Sequence, residues 1–158
     1  MPDVPAWEKA LKLLALRSRT AQELDRALAR SGYGAPERAS AVARARELGY
    51  INDGETARFR ARTRVGQGDA PRLAAKKLVA QGVEEGEARA AATEAAEGAS
   101  AVELASRALQ RRLKGRAPIG ERERQKLLRA LIAKGHSPSA AAKVLGIDWE
   151  GTDDVEDW

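Results

Sequence analysis

The segment LDRALARSGY, Leu24–Tyr33, holds a short signal that returns twice. Leu24 and Leu28 stand one helical turn apart, and Gly32 follows Leu28 by four residues as a helix stop. AAKKLVAQGV, Ala74–Val83, and LLRALIAKGH, Leu127–His136, repeat the frame. Each ends in Gly plus one residue: Gly32-Tyr33, Gly82-Val83, Gly135-His136. The glycines are 50 and 53 residues apart. Leucine precedes each Gly by four (Leu28, Leu78, Leu131), and Leu24, Ala74 and Leu127 precede it by eight. Such offsets indicate an internal repeat of about fifty residues.

Outward from these helices the same periodicity continues, with hardly any strand alternation. Trp7, Ala10, Leu11 and Leu14 share one face of a first helix. Thr20-Ala21-Gln22-Glu23 is a capping box opening the second. Pro36 suits the first turn of a third, which carries Val42, Ala45 and Leu48 and stops at Gly49. Asp53 can cap the next helix, and Gly66-Gln67-Gly68 can end it. Asp69-Ala70-Pro71 begins a helix that stops at Gly82, and an Ala-rich helix runs from about Glu84 to Ala96. Ser100 can cap a helix ending at Lys114-Gly115. A further helix spans Gly120 to Lys134, and Ser137-Pro138 opens a last short one with Ala141, Val144 and Leu145. The expectation is all-α: three tandem three-helix repeats in an elongated, curved array. The units are residues 1–50, 51–98 and 99–147, with an acidic, disordered tail at 148–158.

Composition agrees. Alanine, the best helix former, makes up about a fifth of the 158 residues, and aromatics only 4%. No apolar run approaches the ~18 residues of a membrane span. The first residues lack the pattern of a signal peptide, and there is no Cys, as a cytoplasmic protein would have it. Net charge is +5, yet Asp148–Trp158 carries six acidic residues and no basic one, so the body is more basic than the whole. A basic body points to a polyanion partner.

The sequence contains no metal-spaced ligand cluster, no nucleophile elbow and no Walker loop. No enzymatic activity, cofactor or metal is expected. His136, the only histidine, occupies the slot held by Tyr33 and Val83 and is expected to pack. What remains is positive charge in two concentrations. The first is Arg58, Arg60, Arg62, Arg64, Arg72, Lys76 and Lys77. The second includes Arg107, Arg111, Arg112, Lys114, Arg116, Arg122, Arg124, Lys126 and Arg129, part of it paired with Glu103, Glu121 and Glu123. Like charges at i, i+4, as at Arg58/Arg62, repel unless an anion lies against them. Because stacking aromatics are scarce, any nucleic-acid contact is expected to reach mainly the backbone and to read sequence poorly.

Several stretches together resemble the RecX family, regulators of the RecA recombinase. They are Gly49-Tyr50-Ile51-Asn52-Asp53, Ala57, Arg62-Thr63-Arg64, Gly68, Pro71, Leu78 and Gly82-Val83, with Leu14–Leu24 in the first unit. The resemblance spans about residues 7 to 147, more loosely in the third unit. It departs where family members carry aromatics and this chain has Thr56 and Arg60, at Asn52, and at Ala70. It implies a non-enzymatic protein of tandem three-helix repeats. It also implies binding in the groove of the RecA filament on single-stranded DNA, restraining ATP hydrolysis, strand exchange and co-protease action in DNA repair and the SOS response. On that reading Tyr50 and Ile51 bury, Asp53 caps, and the turn sets the angle between the first two units. Gly49, Gly68, Leu78 and Gly82 are structural. Arg58, Arg62, Arg64, Arg72, Lys76, Lys77, Arg107, Arg111 and Arg112 contact filament or DNA. A monomer with weak, non-specific DNA affinity is expected.

Two rivals remain at this level. A helix-turn-helix regulator would read bases with its third helices, but those here are Ala-rich, poor material for base contacts. A helical-repeat adaptor would bind protein and no nucleic acid.

Overall fold

The computed structural model describes residues 2–153. Among them the chain forms nine α-helices and no strand. They are α1 (Ala6–Leu16), α2 (Ala21–Arg30), α3 (Ala35–Glu47), α4 (Asp53–Gly66), α5 (Pro71–Ala80), α6 (Glu85–Ala95), α7 (Ala101–Leu113), α8 (Gly120–Ala133) and α9 (Pro138–Leu145). The helices pack in triplets, each around its own apolar cluster. Leu24, Leu28, Tyr33 and Ile51 anchor the first. Leu78 and Val83 sit among alanines in the second. Leu109, Leu127, Leu128, Leu131 and Leu145 fill the third. Alanine at Ala57, Ala61, Ala74, Ala88 and Ala92, all fully buried, lets α4, α5 and α6 approach closely with little side-chain volume between them. No hydrogen bond or ion pair between described residues joins the first triplet to the third. The triplets therefore stand in a row, an array of tandem three-helix repeats.

Helix ends match the sequence at most borders. Thr20 and Ser100 each form a complete capping box, with Glu23 and Glu103. Ser137 caps α9. The Tyr50–Asp53 turn departs from expectation. Asn52, not Asp53, caps α4, accepting the Glu55 N–H. Asp53 instead reaches across to the first triplet and accepts the Ala21 N–H of α2 at 2.9 Å. Ile51 is buried, but Tyr50 is 56% exposed. Ile51 fills the first cluster, whereas Tyr50 stays outside it. Leu48 is also exposed, since it lies at the C-cap of α3, past the helix's buried face. Asp69 caps nothing: α5 starts from Ala70 without a side-chain cap.

The two joints between triplets share a design. The C-cap carbonyl of one middle helix receives a hydrogen bond from the N-cap residue of the middle helix before it. Thr20 Oγ1 donates to Gln81 O at 2.6 Å, and the Ala70 N–H donates to Lys134 O at 2.8 Å. The repeated glycines sit at these crossings. A Cβ on Gly82 would lie 2.5 Å from Gln22 Cβ, and one on Gly135 would lie 2.8 Å from Leu73 Cβ. Around this shared bond the joints differ. The first is polar. Arg60 pairs with Glu23 at 2.8 Å and donates to Gln81 Oε1 and Ser18 O, and Thr56 Oγ1 meets Ser18 Oγ at 3.1 Å. Thr56 and Arg60 are the two positions where the resemblance expects aromatics.

The second joint centres on Asp69, which is 3% exposed. Lys77 lies 2.8 Å from it, Lys134 of the third triplet 3.2 Å, and Arg64 3.9 Å. Burial pushes the Asp69 carboxyl up, but hydrogen bonds from Lys77 and Lys134 outweigh that and hold it below the ordinary carboxylate value. His136 is buried beside it and donates from Nε2 to Gly68 O at 2.8 Å. Burial lowers its pKa, against the Gly68 bond and the Asp69 charge. Of the acidic tail, residues 148–153 carry no helix. Asp153 accepts the Ser139 N–H at 2.9 Å, near the start of α9. Residues 154–158 lie outside the described residues.

Candidate nucleic-acid interface

Charge spacing on the helices sets which cations meet. On α4, Glu55, Phe59 and Arg62 stand at i, i+4 and i+7, one face of the helix. On α7, Leu104, Arg107, Ala108 and Arg111 likewise share a face. The second joint brings the C-terminal end of the α4 face beside the α7 face. Arg62, Arg107 and Arg111 line one groove, with Gly68, Asp69 and Glu97 among its other walls. An adjoining hollow holds Arg111, Arg112 and Lys134 beside Gln67. Arg62 of α4 thus converges with the distant pair Arg107 and Arg111 of α7 between the second and third triplets. Asp69 in this groove is matched by Lys77 and Lys134, so the three arginines outweigh Glu97, and a groove with a net positive wall concentrates a polyanion.

The remaining expected contacts are placed differently. Arg64 and Lys77 face Asp69 and carry part of the second joint. Arg72 lines a separate, mostly apolar cleft with Pro71, Leu104 and His136. Arg58 and Lys76 are exposed but line neither groove. Among the described residues, no carboxylate lies within ion-pair distance of Arg58, Arg62, Arg72, Lys76, Arg107, Arg111 or Arg112. In the second concentration Arg116 pairs with Glu123 and Arg124 with Glu121. Leu78 is buried in the second cluster, and Gly49 and Gly68 take positive φ in turns.

Sequence reasoning missed the aromatic side of this surface. Tyr50 and Phe59 are 56% and 64% exposed and flank a hollow that also includes Arg62. Behind Tyr50 stands Trp7, with ring centroids 6.2 Å apart, and Arg44 lies 4.4 Å over the Trp7 ring. The only sequence hint was Phe59, a lone aromatic within the arginine run.

Residues 6–44, which form α1, α2 and most of α3, match the family model described as RecX, first three-helix domain. This part of the chain is thus similar to the first domain of RecX proteins. Two RecX crystal structures share the fold. One is RecX from Lactobacillus salivarius, 19% identical, covering 89% of this chain and 92% of that one with a TM-score of 0.63. The other is described as regulatory protein RecX, 21% identical, covering 88% of this chain and 70% of that one with a TM-score of 0.66. No curated protein sequence matches. No helix among the described residues is long and apolar enough to cross a membrane.

Proposed function

We propose that this chain is a RecX-type regulator, not an enzyme, that binds the RecA filament on single-stranded DNA. It lies as a monomer in the filament groove and restrains ATP hydrolysis, strand exchange and co-protease action in the cytoplasm. The three triplets act as three units, with borders near 50/51 and 98/99. One observation carries the reading beyond the family: Arg62, Arg107 and Arg111 converge on one groove with no carboxylate paired to them among the described residues. The unit-spanning placement suits a partner that is long and anionic. The helix-turn-helix rival is less well supported, because α6 and α9 turn Ala88, Ala91, Ala92 and Ala140–Ala142 into their cores. The side of α6 left exposed carries Glu85, Glu87 and Glu94, which a phosphate backbone repels.

The test is single-strand-dependent ATP hydrolysis by RecA of the same organism, with this protein titrated in. A fall at protein well below the RecA concentration supports a filament regulator. Charge reversal at Arg62, Arg107 and Arg111 should raise the half-inhibiting concentration at least tenfold. A fall only near one-to-one, matched by DNA binding, points to competition for DNA. No effect removes RecA from the account.

A further inference from the structure

Exposed aromatic rings scattered singly over a surface are ordinary. Here they are gathered. Of six aromatic residues in the chain, Trp7, Tyr50 and Phe59 meet at the first joint. Tyr50 and Phe59 border one hollow of about 450 Å3, within the ~300–1,000 Å3 range that small ring ligands use. Its floor is polar, made by Ser18, Asn52 and Thr56. Tyr50 is braced from behind by Trp7, and Arg44 lies over that ring. Arg62 belongs both to this hollow and to the groove of Arg107 and Arg111. Aromatic faces and phosphate-seeking charges therefore follow one another across two joints.

We propose that this run, from the Tyr50–Phe59 hollow through Arg62 to Arg107 and Arg111, is a track for single-stranded nucleic acid in the absence of any protein partner. Unpaired bases stack on Tyr50 and Phe59, and the arginines hold the phosphates. Stacking serves only bases whose faces are open, so the track favours single strands over duplex and tolerates any base. Three carboxylates face it. Glu55 borders the hollow, Glu97 borders the groove, and Asp69 in the groove is already matched by Lys77 and Lys134. The track thus remains cationic. This goes beyond the RecA reading and does not depend on it. It also revises the expectation of mainly backbone contacts, which rested on a scarcity of aromatics that the fold reverses locally.

The experiment is fluorescence anisotropy with a labelled oligothymidylate and a duplex of equal length, without RecA, over a range of salt. The single strand should bind several-fold tighter. Phe59→Leu keeps an apolar side chain but removes the ring, and should weaken single-strand binding about tenfold with the salt slope unchanged. Phe59→Tyr should restore it, and Tyr50→Leu should act like Phe59→Leu. Replacing Arg62 and Arg111 by Gln should instead flatten the salt slope, by about 0.7 for each phosphate no longer neutralised. Thermal midpoints of all variants are read in parallel, and Phe59, being largely exposed, should leave them unchanged. Equal affinity for strand and duplex would overturn the proposal, as would an unaltered Phe59→Leu. So would a Phe59→Leu defect seen only on RecA filaments, which would make the aromatics a protein-docking surface. Failure of the ATPase test alone leaves the track standing.

Discussion

Gly82 and Gly32 end equivalent helices at φ of +97° and +92°, yet their surroundings differ. Both need the conformation that side chains resist. Only Gly82 is pressed against a neighbouring triplet, at Gln22 of α2. A Cβ at Gly32 would come no nearer than 3.8 Å to Pro2 Cγ. Gly32→Ala should cost about 1–2 kcal/mol of strain alone. Gly82→Ala adds a clash with Gln22 to which the backbone must yield, and should cost about 3 kcal/mol or more. Urea denaturation of the two variants checks this, and equal losses would mean the joint is slack. The residue after each glycine also diverges with its setting. Tyr33 bonds Val4 O, Val83 is apolar, and His136 bonds Gly68 O. Repeat alignment correctly placed all three as packing residues. It could not say that His136 packs through a hydrogen bond between triplets.

At the scale of the element, two identical capping boxes have unequal work. Ser100 caps α7 at an exposed border, whereas Thr20 is fully buried and its hydroxyl also donates to Gln81 O. Ser100→Ala should cost about 1 kcal/mol, the usual cap value. Thr20→Ala loses the cap and the bond to the partly buried Gln81 carbonyl, and should cost about 2 kcal/mol. Thr20→Ser should recover most of it, as thermal unfolding would show. Asp53 makes the same point from the other side. Its place at the head of α4 reads as a cap from sequence, yet it caps α2, because only folding brings Ala21 within reach.

For the whole molecule, stability should follow the joints, since packing is otherwise confined to triplets. The second joint carries the acid dependence. His136 has a folded pKa below its unfolded one, so its contribution is full above about 6.5 and fades as pH falls. Asp69 is also depressed, so its contribution is full above about 3.9 and is lost on further acidification. Between pH 7 and 5 the wild type should lose stability relative to His136→Gln. Asp69→Asn should cost about 2 kcal/mol at pH 7, since Lys77 and Lys134 are only partly buried, and that gap should close below about pH 4. Hydrogen exchange should localise the Asp69→Asn effect. Amides of α5 and α8 should exchange faster, while those of α3, in the first triplet, should not. Uniform acceleration would show the three triplets unfold as one.

Helix positions, their caps and the fifty-residue repeat were legible in the chain because each rests on contacts within one or two turns. Leu24, Leu28 and Gly32 carry that information locally, and so do Thr20 with Glu23. The charge excess was equally visible as composition. Which charges stay available was not. Arg62 and Arg64 are two residues apart in one run, but one borders the open groove and the other faces Asp69. Tyr50 and Ile51 are adjacent, but only Ile51 enters a core. Trp7, Tyr50 and Phe59 are spread over more than fifty residues. Trp7 and Tyr50 meet within the first triplet, but the approach of Phe59 to Tyr50, like that of Arg62 to Arg107 and Arg111, depends on how rigid triplets dock at Thr20–Gln81 and Ala70–Lys134. Local periodicity specifies each helix and its buried face. Only the angles at those two joints bring distant side chains onto one surface.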